Sequence, residues 1–323
     1  MALRSRTASD LGRIGILMGG PSSERDVSLK SGKAVYESLK GANLDVVAID
    51  IETDNAEDNI KLIKSFNIDC AFLALHGRYG EDGQVQEILD SLGMPYTASG
   101  MYASKLAMDK VASRKIIEVH GLHVPRYVAL NRVAYNSNWK IPGTFSCPLV
   151  IKPATHGSSI GLSIVDKDAD VNKAVEFAFQ FDEDILIEEY IEGRELTVGI
   201  LDEKPLPIVE IIPKKRFFDF EAKYSAGMTE YVVPANLEKE IARKVQVVGL
   251  AVHKLLGCSG CSRVDIILSR DNTPYVLELN SIPGLTPTSL LPKAAKVAGI
   301  EFQQLCIKLI ELAYEKAKAS SAN

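Results

Sequence analysis

Arg13–Met18 (R-I-G-I-L-M) is a short apolar run that stops at Gly19-Gly20, the pattern of a buried strand. Ser28–Leu39 follows with helical spacing and puts Val35 and Leu39 on one side. Leu44–Ile51 predicts a second strand, Ala56–Ser65 a helix and Cys70–Leu75 a third strand. Strands alternating with helices imply a parallel sheet of βαβ units. Ser104–His120 reads as one helix, rich in Lys and Ala and closed by Gly121 and Pro125. Strands are expected at Leu149–Lys152, Ser163–Val165 and Ile185–Tyr190, with a helix at Val171–Phe179, an arrangement that suits a small antiparallel α+β module. Beyond it, strands are expected at Leu196–Leu201, Pro207–Ile212, Val264–Leu268 and Tyr275–Glu278. Helices are expected at Leu237–Leu256 and Ile300–Lys316. Phe217–Val233 lacks periodicity, and a loop that long in a compact domain suggests an active-site lid. The fold class is therefore α/β with α+β modules, and no internal repeat is visible.

A chain of 323 residues exceeds what one core usually holds, so two or three domains are expected. The pattern divides into 1–103, 104–192 and 193–323. The net charge of −5 argues against a nucleic-acid or anionic-membrane partner held by bulk electrostatics. The five cysteines are odd in number and scattered, so they do not form a disulfide framework. Cys258 and Cys261 make a C-x-x-C with no second Cys or His pair near it, and two small packed residues is the better reading. Met1–Gly12 lacks the apolar segment of a secretory signal, and no apolar run is long enough to span a bilayer. The cytoplasm is the expected location.

Several polar residues sit where chemistry is done. Asp265, Glu278 and Asn280 end apolar strands, and Glu278 and Asn280, two apart, share a face. Two carboxylates and an amide oxygen suit a hard cation such as Mg2+, although solvated strand ends would look the same. Lys152 ends an apolar run; Lys110 and Lys223 lie in other segments, Lys223 in the expected lid. Gly157–Gly161 (G-S-S-I-G) offers backbone N–H groups to a phosphate, or is an ordinary hairpin turn. Neither a Walker A loop nor a full G-x-G-x-x-G occurs. Glu24, just beyond the first strand, suits a substrate ammonium or a helix first turn. His76 ends a later strand at the same crevice.

In chain order, G-G-P-S-S-E-R, A-L-H-G-R-Y-G-E-D-G, M-D-K, I-K-P, G-S-S-I-G, E-A-K-Y, S-R-V-D and E-L-N-S-I-P-G-L-T together resemble the D-alanine–D-alanine ligase family of ATP-grasp enzymes. The resemblance runs from about Arg13 to the last helix. It implies a Rossmann-like first domain, a two-lobed ATP-grasp fold and a homodimer. ATP is the implied co-substrate, with two Mg2+ ions, for which Mn2+ substitutes, and D-alanine as substrate. Asp265, Glu278 and Asn280 match the metal ligands, and Lys110, Lys152 and Lys223 the ATP phosphate contacts. Glu188, Ile191, Glu195 and Phe217 match residues around adenine and ribose. Arg263 and the Gly284 backbone match the oxyanion stabilisers. Glu24, Ser158 and Tyr224 match a trio that positions the first D-alanine and ties the lid shut. His76 matches a first-site residue, and Ser289 and Leu290 match the residues that receive the second carboxylate. A Tyr at 224, where depsipeptide-forming relatives usually have Phe, favours an amine as second substrate. Thr288 stands where some members have His.

Three other readings stay open on the residues. They are a ligase with another second substrate, such as D-serine, a nucleotide binder without catalysis, and a simple phosphotransferase.

Overall fold

The structure is a computed structural model that describes residues 11–136, 139–213 and 229–321. The first apolar run forms β1 (Ile14–Gly19), buried except at half-buried Met18. β2 (Val46–Ile51) and β3 (Cys70–Leu73) pair with it in parallel on either side. Helices α1 (Arg25–Gly41) and α2 (Ala56–Ser65) supply the crossovers that parallel strands need. α1 starts at Arg25 rather than Ser28, because its polar first turn carries no apolar signal. A further helix, α3 (Gln84–Ser91), follows the H-G-R-Y-G-E-D-G segment and was not expected.

The helix expected at Ser104–His120 is two helices, α4 (Met101–Met108) and α5 (Lys110–Val119). Asp109 adopts an extended backbone, and its carboxylate accepts hydrogen bonds from the Val111 and Ala112 N–H groups. A side chain that satisfies the orphan donors of a helix start competes with continuation of the preceding helix. The break makes Lys110 the first residue of α5. Ala107 and Ile117 from these helices share a core with Leu196, Val198, Val264 and Ile266, so α4 and α5 pack against the chain's last sheet.

The second sheet has the order β4–β7–β5–β6, all antiparallel: β4 (Tyr127–Asn131), β5 (Leu149–Pro153), β6 (Ser163–Val165) and β7 (Asp184–Glu189). α6 (Val171–Ala178) covers one face, packing Val175 and Ala178 against Ile151 and Ile185. β4 escaped the pattern reading because it is an edge strand with Leu130 its only buried residue. The third sheet runs β11–β10–β8–β12–β13, with β9 beside β8. Its strands are β8 (Gly193–Leu201), β9 (Lys204–Pro205), β10 (Val209–Pro213), β11 (Thr229–Val232), β12 (Cys261–Ser269) and β13 (Pro274–Asn280). α7 (Lys239–Leu255) backs it through Val245, Val248 and Val252. β11 corrects the aperiodic reading of Phe217–Val233 at its end: an edge strand without fully buried residues shows no alternation. The rest of that expected lid, to residue 228, lies outside the described residues.

α8 (Leu290–Val297), unexpected from the pattern, leads into α9 (Phe302–Ser321). Through Leu305, Leu309 and Ile310, α9 packs onto Ile14, Val35 and Leu39, so the chain's end completes the core of its beginning. Cys261 and Cys306 are buried as free thiols in that same core. Among the described residues, no helix is long and apolar enough to cross a membrane.

α9 also carries a half-buried cation. Lys316 Nζ donates to the Ala98 carbonyl at 2.8 Å and stands 3.7 Å from the Tyr96 ring centroid. Burial brings its pKa down from 10.5 to about 8, against the opposing pull of Asp90. Between pH 8 and 10.5 the unfolded chain therefore binds a proton that the folded chain does not, and stability rises with pH across that window. Relative to Lys316→Met, the wild-type unfolding free energy is expected to rise with pH there, by at most about 1.4 kcal/mol per pH unit. Urea titrations at several pH values measure it, and parallel curves for the two proteins would contradict this account of Lys316.

Candidate active site

Three sheets meet at one crevice, and the antiparallel pairing of β12 with β13 sets its floor. Asp265 lies opposite Glu278, and Arg263 opposite Asn280, so four polar side chains share one face. The register shifts after Asp265, a bulge of the kind often found beside functional sites. β8 contributes Thr197 opposite Asp265. The Asp265 carboxylate accepts from Thr197 Oγ1 at 2.6 Å, from Arg263 Nε and Nη2 at 2.9 Å each, and from Asn280 Nδ2 at 3.1 Å. Burial alone would lower the Arg263 pKa, but Asp265 and Glu278 raise it instead, so the guanidinium is a fixed positive charge.

Lys110 reaches the same floor. Its Nζ donates to the His156 carbonyl at 2.7 Å and lies 3.3 Å from Glu278 Oε2. Lys152, on β5, pairs with Glu188 at 2.8 Å, and Glu188 also takes the guanidinium of Arg114 from α5. Both Glu188 oxygens are thus engaged by cations.

Three cavities run across this floor. The first, about 310 Å³, lies between the second and third sheets and is lined by Val150, Lys152, Glu188, Ile191, Glu195 and Leu277. The third, about 530 Å³, lies against the first sheet and takes in Glu24, His76, Ser158, Arg263, Glu278, Asn280, Gly284, Ser289 and Leu290. A narrow space of about 70 Å³, whose lining includes Lys110, Lys152, Ser159, Glu195, Asp265 and Glu278, lies between them. Lys152 and Glu195 line the first cavity and this junction; Glu278 lines the junction and the third cavity. The sequence-derived site residues therefore converge, except Phe217, Lys223 and Tyr224, which lie outside the described residues.

A divalent cation fits this floor by its donor set. Among the described residues, no three His, Cys, Asp or Glu side chains form a metal cage of their own. Glu278, Asp265 and the Asn280 amide oxygen supply hard oxygen donors on one face. That is the incomplete set Mg2+ accepts when substrate phosphates fill its remaining positions.

The first sheet presents its loops to the third cavity. Ser158 Oγ donates to Glu24 Oε1, joining the G-S-S-I-G turn to the start of α1. Ser158 and Ser159 both have positive φ, 53° and 59°, a strained backbone for residues with a Cβ. Gly77 is required beside Glu24: a Cβ there would lie 2.7 Å from Glu24 Oε2, at φ +72°.

His76 is placed as expected but occupied on both nitrogens. Its Nδ1 faces the Ile282 carbonyl at 3.2 Å, which can only accept, so Nδ1 carries the proton. Nε2 then accepts from Ser31 Oγ at 2.8 Å, and Ser31 Oγ accepts from the Leu285 N–H at 3.3 Å. Burial lowers the His76 pKa, against the pull of Glu24, so the ring is neutral. Glu81 makes a second tie, accepting from the Gly77 N–H at 2.9 Å and the Ile282 N–H at 3.2 Å. Burial, then Glu24, pushes its pKa up to about 8.

Sequence reasoning missed Thr197, Arg114, Ser31 and Glu81. Glu81 was within reach, inside a motif already singled out, and Arg114 stands one helical turn after Lys110. Ser289 precedes α8, whose first residue is Leu290, so a helix N-terminus opens onto the third cavity.

Residues 116–311 match the family described as D-ala D-ala ligase C-terminus, and residues 13–57 and 53–99 match D-ala D-ala ligase N-terminus. A D-alanine–D-alanine ligase of Geotalea uraniireducens (strain Rf4) is 45% identical over 301 residues, covering 93% of this chain and 95% of that protein. One of Pelotomaculum thermopropionicum is 45% identical over 312 residues, covering 94% and 97%. The crystal structure of D-alanine–D-alanine ligase from Bacillus anthracis complexed with ATP superposes with a TM-score of 0.85 at 37% identity, covering 96% of this chain and 99% of that one.

The Ser31–His76 tie is testable by itself. Ser31→Ala strips His76 Nε2 and the Leu285 N–H of a buried partner, and is expected to destabilise the fold by about 1–3 kcal/mol. Chemical denaturation reads this out, and an unchanged midpoint would count against the tie.

Proposed function

This chain belongs to the D-alanine–D-alanine ligase family, and we propose that it joins two D-alanine molecules into D-alanyl-D-alanine at the expense of ATP, for peptidoglycan precursor synthesis. One observation carries the reading: the cavity between the second and third sheets and the cavity against the first sheet are joined by a junction lined by Lys110, Lys152, Asp265 and Glu278, with Arg263 on the far side of Glu278.

A carboxylate resists amine attack because it has no good leaving group. Transfer of the ATP γ-phosphoryl group to the first D-alanine makes an acyl phosphate, whose leaving group is phosphate. Lys110 and Lys152 neutralise charge along the transferred group, with Lys223 as a third contact. Asp265, Glu278 and Asn280 would hold two Mg2+ ions, or Mn2+ in their place, which supply charge neutralisation on the phosphates. Glu24, held by Ser158, takes the ammonium of the first D-alanine, and Tyr224 completes that trio from the lid. His76 fixes the loop around it. Ser289 and the N-terminus of α8 at Leu290 receive the carboxylate of the second D-alanine. Its amine attacks the acyl carbon, and Arg263 with the Gly284 N–H stabilises the tetrahedral oxyanion. Adenine and ribose lie along Ile191, Glu195 and Phe217. Glu188, engaged by Lys152 and Arg114, supports the phosphate end instead of reaching freely for ribose.

The same reading places the protein in the cytoplasm as a homodimer. It divides the chain at 1–103, 104–192 and 193–323, with one sheet in each span.

With ATP, Mg2+ and D-alanine, phosphate release and a D-alanyl-D-alanine mass are expected, and none with L-alanine. Product only when D-serine or D-lactate accompanies D-alanine would reassign the second substrate, and nucleotide binding without turnover would remove the ligase reading. Arg263→Met is expected to lower kcat by about 10²–10³, the cost of losing one oxyanion donor. A change confined to KM would assign Arg263 to ground-state binding instead.

A further inference from the structure

Arg114 lines none of the cavities described above, yet it is 1% exposed and its charge sits within the machinery. It follows Lys110 on α5 by one helical turn, so both side chains leave the helix on one face. Lys110 goes to Glu278 on β13. Arg114 goes to Glu188 on β7 of the second sheet, and its Nη2 donates to the Leu277 carbonyl on β13 of the third sheet at 3.0 Å. Its guanidinium also stands 5.6 Å from the Tyr127 ring centroid on β4. One planar fork thus bridges the two sheets that enclose the first cavity.

We propose that Arg114 is a positioning residue for nucleotide binding: by holding Glu188 from behind, it keeps the Lys152 ammonium available to a phosphate. The inference rests on the ATP-binding reading above. Glu188 is 2% exposed and has a cation on each oxygen. Two cations on one carboxylate leave a net positive charge, and Lys152 is the cation of the cluster that lines the cavities. Burial alone would raise the Glu188 pKa, but Arg114 and Lys152 together lower it, so the carboxylate is charged. Without Arg114, that buried carboxylate would have Lys152 as its one remaining cation. Lys152 would then be drawn fully to Glu188, and the excess charge facing a phosphate would vanish. A lysine at 114 replaces the charge but not the fork, and cannot hold Glu188 and the Leu277 carbonyl together.

The test uses the full-length protein and reads ADP binding with Mg2+ by calorimetry, together with KM for ATP and for D-alanine. Arg114→Met is expected to weaken ADP binding about tenfold and raise KM for ATP comparably, with KM for D-alanine within about twofold. Arg114→Lys is expected to fall between. The double variant Arg114→Met/Glu188→Gln removes the carboxylate that captures Lys152, and is expected to recover most of the lost ADP affinity. A purely structural Arg114 would give no such recovery, and equal changes in both KM values, or unaltered ADP binding in Arg114→Met, would overturn the proposal. Should Arg114→Met fail to fold, Arg114→Lys and the double variant, in which no buried carboxylate is left short of a cation, carry the same comparison. ADP binding that responds to Arg114 in a protein that makes no dipeptide would overturn the ligase reading and leave this inference standing.

Discussion

A carboxylate taken out of water must be met by a cation or by several donors, or it will not stay charged. The centre of this molecule is built around three such carboxylates. Glu188 is met by Lys152 and Arg114, Glu278 by Lys110, and Asp265 by Arg263, Thr197 and Asn280. These partners come from α5, β5, β8, β12 and β13, so the pairing requirement fixes how the second and third sheets approach one another. The break at Asp109 serves it as well. It restarts the helix so that Lys110 and Arg114 emerge on the face where Glu278 and Glu188 lie.

The first sheet is tied to this centre by neutral hydrogen bonds. His76 reaches the Ile282 carbonyl, Glu81 the Ile282 N–H, and Ser31 the Leu285 N–H. All three act on the segment between Asn280 and Gly284 or just past it, where the floor of the crevice becomes the wall of the third cavity. A shift of that segment would move Asn280 and Gly284 together. The loops of the first sheet therefore bear on both ends of that segment at once.

Much of this was legible in the sequence because it depends on local period. A spacing of two on a strand puts Glu278 and Asn280 on one face whatever surrounds them, and the apolar run ending in Lys152 announces the end of β5, whereas Asp265, expected at a strand end, stands in the middle of β12. The motif order carried the rest of the site. What stayed hidden depends on partners far along the chain. Glu81 and Ile282 are 201 residues apart, and Arg114 and Glu188 are 74 apart. Arg114 sits in a helix whose Lys and Arg content reads as a solvated face, and nothing local marks it as buried. β4 and β11 were missed for a related reason: edge strands bury little, so they lack the alternation by which strands are found.

The division of charge across the crevice bears on the order of chemical events. One side of the crevice holds a buried cluster with excess positive charge, whereas the other sets the carboxylates of Glu24 and Glu278 beside the cations of Lys30 and Arg263. A polyanion suits the first, and a zwitterion the second. A zwitterionic amino acid entering the second side would turn its ammonium towards Glu24, which leaves its carboxylate directed to the junction at Glu278 and Lys110. That is the orientation in which a carboxylate oxygen can meet a phosphoryl group held by Lys152. On the proposed reading, the field of the folded chain would orient the two substrates before any bond is made, with side chains whose own partners hold them still.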